Sequence, residues 1–327
     1  MAGQAGAEAY PGRDMSEAIR PAPAPGGAPS KLRIFFRRLL SSLALWTLVL
    51  LALLWSDGLA SKCVFALVMV LLAVSGLAEF YRLAAKRGLV CFPGWGVLGG
   101  ALLILGTFLN LIGVLGTSGS PARVNDFETS FLILFVLGLC ARQFASRSNP
   151  DGLLAISTTL FGLMYVAWLL NFIQKINFFP SVEGRYCVEG RYYLLYFVVL
   201  TKSGDSGAYA VGSLFGRHKM IPRISPGKTW EGFAGAIGAT VLASLLLAHF
   251  LGPRLWGMNR LHAVVLGVLL SLGAVLGDLI ESLFKREAGL KDSGRLFPGI
   301  GGMLDLLDSL LFNAPIMYLY LRHVLTA

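Results

Sequence analysis

The chain is written as long apolar runs separated by short polar breaks. Nine runs stand out, at roughly 39–55, 60–78, 94–116, 127–141, 152–173, 192–215, 231–252, 262–284 and 301–321. A bilayer core about 30 Å thick takes roughly 20 mostly apolar residues per helical span, and most of the runs have that length. Inside lipid a segment has to satisfy its own backbone hydrogen bonds, so these runs predict helices rather than isolated strands. The alternating apolar and polar residues of a barrel strand are absent. The pattern predicts an all-α polytopic membrane protein with about nine transmembrane helices. The fourth run is short and the sixth and ninth carry acids, so eight and ten remain open.

Composition agrees with the pattern. Of 327 residues, 55% are hydrophobic and 14% charged, where a soluble domain carries about 25% charged residues. The net charge of +10 would suit nucleic acid or anionic lipid, but its distribution decides otherwise. With a cytoplasmic N-terminus, most Lys and Arg fall on the cytoplasmic side: the tail through Arg38, the loops at Arg82–Arg87 and Arg142–Arg147, and the stretches around 202–228 and 285–295. That is the sense of the positive-inside rule. No basic stripe interleaved with aromatics stands outside the apolar runs, which excludes a nucleic-acid partner. Four cysteines without a CxxC pair predict no disulfide framework and no zinc site. Residues 1–30 form a Pro/Gly/Ala-rich tail that reads as disordered. Residues 31–190 form an N-terminal transmembrane region, and 191–327 hold the polar positions that invite chemistry.

An acid inside a membrane helix is costly unless it pairs, binds a cation or faces water. Asp278 and Glu281 stand three residues apart near the end of the eighth run, on one helical face, and Lys285 continues that face. Asp305 and Asp308 repeat the spacing at the start of the ninth run. A basic, Gly-rich linker joins them, so a helical hairpin would bring the two acidic faces together. Clustered carboxylates suit Mg²⁺, which shares its coordination with phosphate oxygens, and the neighbouring Lys and Arg suit phosphate itself. Ion-coupled transport places carboxylates similarly and stays open at this point.

A second polar stretch begins at Lys202, Ser203, Gly204 and Asp205 and runs to Ser225, Pro226, Gly227, Lys228, Thr229. The Gly-Lys-Thr is not a P-loop, because Pro222 stands where the first glycine belongs and no buried parallel strand precedes it. As the opening of the seventh helix, Ser225 to Thr229 would offer amides, hydroxyls and one Lys to a phosphate. The plainer reading is a Ser or Thr capping an ordinary helix. His249, His262 and His323 sit at run ends and read as interfacial, whereas His218 is placed where it could touch phosphate.

The stretches SGDSGAYAVGSLFGRHK, ISPGKTWEG and GDLIESLFKREAGLKDSGRLFPGIGGMLDLLDSLLFNAP resemble the phosphatidate cytidylyltransferase (CDP-diacylglycerol synthase) family. The likeness is close over roughly 195–320, with Glu79, Phe80 and Tyr81 as a local echo in the N-terminal half. The family signature falls on Ser282, Lys285, Arg286, Lys291, Asp292, Gly301, Gly302, Asp305 and Asp308. Two positions depart from it: Ile300 replaces a His and Leu306 an Arg. All the metal-type acids are retained, which favours an active enzyme.

The resemblance implies a nucleotidyltransferase of phospholipid biosynthesis that makes CDP-diacylglycerol and diphosphate from CTP and phosphatidate. It implies Mg²⁺, with room for a second cation, held by Asp278, Asp305 and Asp308. Lys285, Arg286, Lys291 and Asp292 would complete the catalytic set, and Ser203, Asp205, Ser225, Lys228, Thr229 and Ser282 would bind substrate. The expected setting is a bacterial cytoplasmic membrane with the site facing the cytoplasm, membrane lipids as neighbours, and a homodimer open to it. A CTP-dependent enzyme acting on another lipid phosphate or a polyprenol, an ion-coupled transporter and a weakened homologue are the alternatives.

Overall fold

The computed structural model describes residues 58–114, 121–145, 151–179, 189–290, 293–294 and 301–326. The predicted run at 39–55 lies outside these residues, as do Cys187, Lys291, Asp292 and Ile300. Among the described residues eight long helices follow one another: α1 Leu59–Lys86, α2 Pro93–Leu111, α3 Pro121–Ala145, α4 Gly152–Asn177, α5 Gly190–Phe215, α6 Trp230–Phe250, α7 Arg260–Glu287 and α8 Met303–Leu325. Among the described residues, seven are long and apolar enough to cross a membrane. The exception is α5, whose run is broken by Lys202 and Asp205. The protein is a multi-pass membrane protein, and large side chains such as Leu67, Leu134, Leu242 and Leu246 stand exposed on helix faces. Such faces would be aggregation-prone in water and are natural against lipid.

Two local findings amend the sequence reading. The short run predicted at 127–141 is the middle of a 25-residue helix. Its polar first turns are held by α4, where Lys175 Nζ meets Glu128 Oε2 at 2.5 Å and Asn125 Oδ1 at 3.2 Å. Ser225–Thr229 does not open a helix. It is strand β2, antiparallel to β1 (Lys219–Ile221), so the fold carries one small hairpin beside its helices. The Trp230 N–H is taken by the His218 carbonyl and the Gly232 N–H by Thr229 Oγ1 at 3.1 Å. Thr229 therefore caps α6, in line with the plainer reading of this stretch.

Packing positions the polar stretches. Helices α5 and α6 make the most extensive pair, through the small residues Gly204, Gly207, Ala208 and Gly212 against Gly232, Gly235 and Ala239. A Cβ on Gly207 would stand 2.3 Å from Ala239 Cβ and 2.6 Å from the Gly235 carbonyl. Small-residue faces of this kind let membrane helices approach closely. Gly207→Leu is expected to cost about 1–3 kcal/mol by overpacking, read as a lowered melting temperature of the purified protein in detergent. An unchanged melting temperature would show that this approach carries no stability.

Helix α8 lies among the earlier helices, packing on α7, α4 and α1. Leu304, Leu307, Leu311 and Met317 are fully buried there, in one core with Leu77, Val166, Leu170 and Phe197. The hairpin of α7 and α8 is tight at Gly277, where a Cβ would stand 2.5 Å from the Asp308 carbonyl.

Candidate active site

Asp278, Glu281, Ser282 and Lys285 fall on one stripe of α7, and Asp305 and Asp308 on one stripe of α8. Because α7 carries only hydrogen at Gly277, the two stripes meet. Oxygen atoms of Asp278, Glu281 and Asp308 lie within 4.8 Å of one another. The metal set expected from the sequence is Asp278, Asp305 and Asp308. The structure brings Asp278 and Asp308 together with Glu281; Asp305 is not one of these three, and its carboxyl meets Glu281 and shares Lys285 with it. Asp305 Oδ1 accepts from Lys285 Nζ at 2.6 Å, and its Oδ2 accepts from Gly302 N–H at 2.7 Å and from Ser293 N–H and Oγ at 3.2 and 3.0 Å. The second Asp of the α8 pair thus enters the carboxylate group, while the first ties down the helix start and the linker.

Basic groups surround the acids. Lys228, at the end of the hairpin, places Nζ 2.7 Å from Asp278 Oδ2 and 3.3 Å from the Val275 carbonyl. Lys285 Nζ pairs with Glu281 as well as Asp305. Lys202 Nζ lies 3.3 Å from Asp205 Oδ2 and 3.4 Å from Ser309 Oγ. Ser282 Oγ donates to Asp278 Oδ1 at 3.3 Å, and the Ser309 N–H donates to Asp308 Oδ1.

Most of these groups border a cavity of about 590 Å³ between α5, the hairpin, α6, α7 and α8. Of the predicted residues, Asp205, Lys228, Thr229, Asp278, Lys285, Asp305 and Asp308 line it. Apolar residues share the lining with these charges, among them Phe233, Ala236, Ala274 and Val275, so the space offers both charged and apolar contacts.

Other predicted residues do different work. Ser203 Oγ donates to the Val199 carbonyl of its own helix at 2.7 Å. Ser225 sits in β2, its backbone paired with Ile221. Arg286 donates to the carbonyls of Ile224 (3.2 Å) and Leu290 (3.3 Å), so it ties the hairpin turn to the end of α7. Lys291 and Asp292 lie outside the described residues. His218 is engaged by Glu231, Nδ1 to Oε1 at 2.6 Å. Leu306, one of the two departures, packs against the core and is not among the residues lining the cavity.

The sequence reading passes over Lys202 as a site residue, and it counts Glu281 among the clustered acids but leaves it out of the metal set. Both carry a visible signal, since Glu281 is the spacing partner of Asp278 and Lys202 is a cation inside an apolar run.

The acid group has the chemistry to hold a hard divalent cation. Glu281 is fully buried, and its Oε2 is paired with the Lys285 ammonium. Lys202, Lys228 and Lys285 stand against Asp205, Asp278, Glu281, Asp305 and Asp308, so acids outnumber bases in a site that is buried at Glu281 and Asp308 and open at Asp205 and Asp278. A divalent cation with oxygen ligands offsets such an excess.

Comparison with known proteins bears on this site directly. Residues 36–324 match the model of the cytidylyltransferase family. The chain is 32% identical over 269 residues to the phosphatidate cytidylyltransferase of Staphylococcus aureus, covering 77% of this chain and 97% of that protein. It is 43% identical over 204 residues to the phosphatidate cytidylyltransferase of Mycobacterium tuberculosis, 60% of this chain and 58% of that one. It is also 39% identical over 165 residues to the uncharacterized protein YnbB of Escherichia coli, 50% of this chain and 51% of that protein. The chain thus spans about half the length of some curated relatives and nearly all of the staphylococcal one.

Proposed function

We propose that this chain, which belongs to the cytidylyltransferase family, transfers the cytidylyl group of CTP to phosphatidate, giving CDP-diacylglycerol and diphosphate. The observation that carries the reading is the mixed lining of the cavity: three lysines and four aspartates together with apolar side chains of membrane helices. A nucleoside triphosphate and a lipid phosphate need to meet in such a place.

In this reaction an oxygen of the phosphatidate phosphate forms a bond to the α-phosphorus of CTP. The bond from that phosphorus to the bridging oxygen of diphosphate breaks in line. The chemistry needs positioning and charge neutralisation rather than a protein nucleophile. Lys228, Lys285 and Lys202 bind phosphate oxygens. Asp278, Glu281 and Asp308 would hold Mg²⁺, which when bound supplies neutralisation of the triphosphate charge. Asp305 keeps Lys285 aimed at the cavity, and Arg286 keeps the hairpin against α7. The apolar part of the lining takes the lipid, which enters sideways between helices.

The same reading places the N-terminus and the cavity on the cytoplasmic side of a bacterial membrane. The basic stretches that border the cavity support this, and the named relatives are bacterial. A ninth span would be the run at 39–55.

The test is CDP-diacylglycerol formation from labelled CTP by the purified protein in detergent, with phosphatidate present or omitted and Mg²⁺ present or chelated. Product that requires both is expected. CTP consumption with another lipid phosphate but not with phosphatidate would favour a different acceptor, a reading encouraged by Leu306 packing into the core where the family has Arg. Flux of a solute without nucleotide consumption would replace the enzyme with a transporter.

A further inference from the structure

Glu79 is a deeply buried acid on α1, in the half of the molecule that contributes no residue to the cavity lining. It is 4% exposed. An acid placed there has to be compensated, and the compensation comes from the far end of the chain. Glu79 Oε2 accepts from Ser293 Oγ at 3.0 Å and from the Leu304 N–H at 2.9 Å. Leu304 is the second residue of α8, and the first amides of a helix have no partner within it. A carboxylate at that end also meets the positive pole of the helix.

The approach is close on both sides. A Cβ on Gly294 would stand 2.3 Å from Glu79 Oε1, and one on Gly302 2.4 Å from Oε2. The two glycines therefore make room for this carboxylate. Ser293 then passes the contact on, because the same hydroxyl also reaches Asp305 Oδ2 at 3.0 Å and Asp305 Oδ1 holds Lys285 at 2.6 Å. A hydroxyl has a single proton, so Ser293 donates to one carboxylate at a time, with its N–H serving Asp305 throughout.

We propose that Glu79 is a positioning residue for the cavity: from the N-terminal half it clamps Ser293 and the first turn of α8, and through them fixes Asp305 and the Lys285 ammonium. It touches none of the cavity itself. The inference rests on the cytidylyltransferase reading for its effect on rate, but the clamp is a property of the fold and can be read without turnover.

The experiment uses the full chain in detergent, as wild type, Glu79→Ala, Glu79→Gln and Ser293→Ala. Hydrogen exchange is followed by mass spectrometry on peptides spanning 301–305, with α6 as the control. Glu79→Ala removes the acceptor of the Leu304 amide, so exchange there is expected to rise about tenfold or more while α6 stays protected. CDP-diacylglycerol formation is expected to fall about 100-fold, the scale of a small misplacement of a reacting group, with KM for CTP little changed. Glu79→Gln keeps an acceptor oxygen and is expected to recover much of both. Ser293→Ala leaves the buried carboxylate on α8 but cuts its link to Asp305, so the rate is expected to fall with the Leu304 amide still protected. If Glu79→Ala does not fold, Glu79→Gln and Ser293→Ala carry the comparison. Unchanged exchange at 301–305 overturns the clamp, and raised exchange with undiminished turnover overturns its positioning role. A wild type that exchanges as expected but makes no CDP-diacylglycerol counts against the reaction reading alone.

Discussion

Asp308→Asn is expected to lower CDP-diacylglycerol formation by about 10³-fold or more, some 4 kcal/mol of transition-state stabilisation, in a protein that folds normally. Asn matches Asp in shape, and its side-chain oxygen can still accept the Ser309 N–H that Asp308 accepts now. What it removes is charge. Asp308 is almost wholly buried and shares a group with Asp278 and Glu281 whose oxygens lie within 4.8 Å. Three carboxylates that close repel one another; Lys228 and Lys285 offset Asp278 and Glu281, and a dication would supply the compensation that Asp308 lacks. Removing one should therefore weaken Mg²⁺ dependence as well as rate, so the Mg²⁺ concentration for half-maximal turnover is expected to rise. Asp305→Asn should also cost most of the turnover, by a different route. It removes the charge that holds Lys285 and one of the two oxygens that accept from Lys285 and the linker, while leaving the three-acid group complete, so its half-maximal Mg²⁺ concentration should stay near wild type. Initial rates against Mg²⁺ for the three proteins decide the matter. An Asp308→Asn enzyme with most of its rate and an unchanged Mg²⁺ curve would remove Asp308 from the cation site.

How much of this is legible in the sequence depends on which interactions decide each element. Helix positions are legible because lipid lets hydropathy decide where a span lies and forces every span to be a helix. The run read at 231–252 is Trp230–Phe250, and that at 262–284 is Arg260–Glu287. The acidic faces are legible for a similar reason, since carboxylates in apolar runs stand out and i, i+3 spacing fixes their face. What fails is decided by distant partners. The polar start of α3 belongs to a helix because Lys175, about fifty residues on, neutralises Glu128. Ser225–Thr229 is a strand because Lys219–Ile221 lies alongside. Spacing alone puts Asp305 and Asp308 on one face, but the contacts of Ser293 and Gly302 turn Asp305 to the linker and leave Glu281 to complete the group. Glu79 is visible as an acid in an apolar run, yet its partners lie more than 200 positions away.

The buried pair of Lys175 and Glu128 gives the largest expected change in stability. Their side chains are 3% and 5% exposed. Around them Asn171 Nδ2 donates to Glu128 Oε1 at 2.6 Å and Trp168 Nε1 to Oε2 at 3.4 Å, and the Lys175 ammonium lies 4.5 Å from the centre of the Phe172 ring. Breaking a buried pair by removing one partner typically costs about 3–5 kcal/mol, because the other charge is left without compensation. Lys175→Met fills much the same space and does that to Glu128, so the melting temperature in detergent is expected to fall by roughly 10 °C. Glu128→Gln in the same chain should restore most of the loss, since Gln keeps an acceptor for Asn171 and Trp168 and leaves no buried charge. The network sits at the other end of α8 from the cavity: Tyr318, whose ring faces Lys175, lies about 15 Å along the helix from Asp308. Turnover per folded molecule should accordingly stay near wild type in both variants at temperatures below their melting points. Melting curves of the two single variants and the double one form a closed cycle. A Lys175→Met protein as stable as wild type, or a double variant no better than the single, would show that this pair is not what ties α3 to α4.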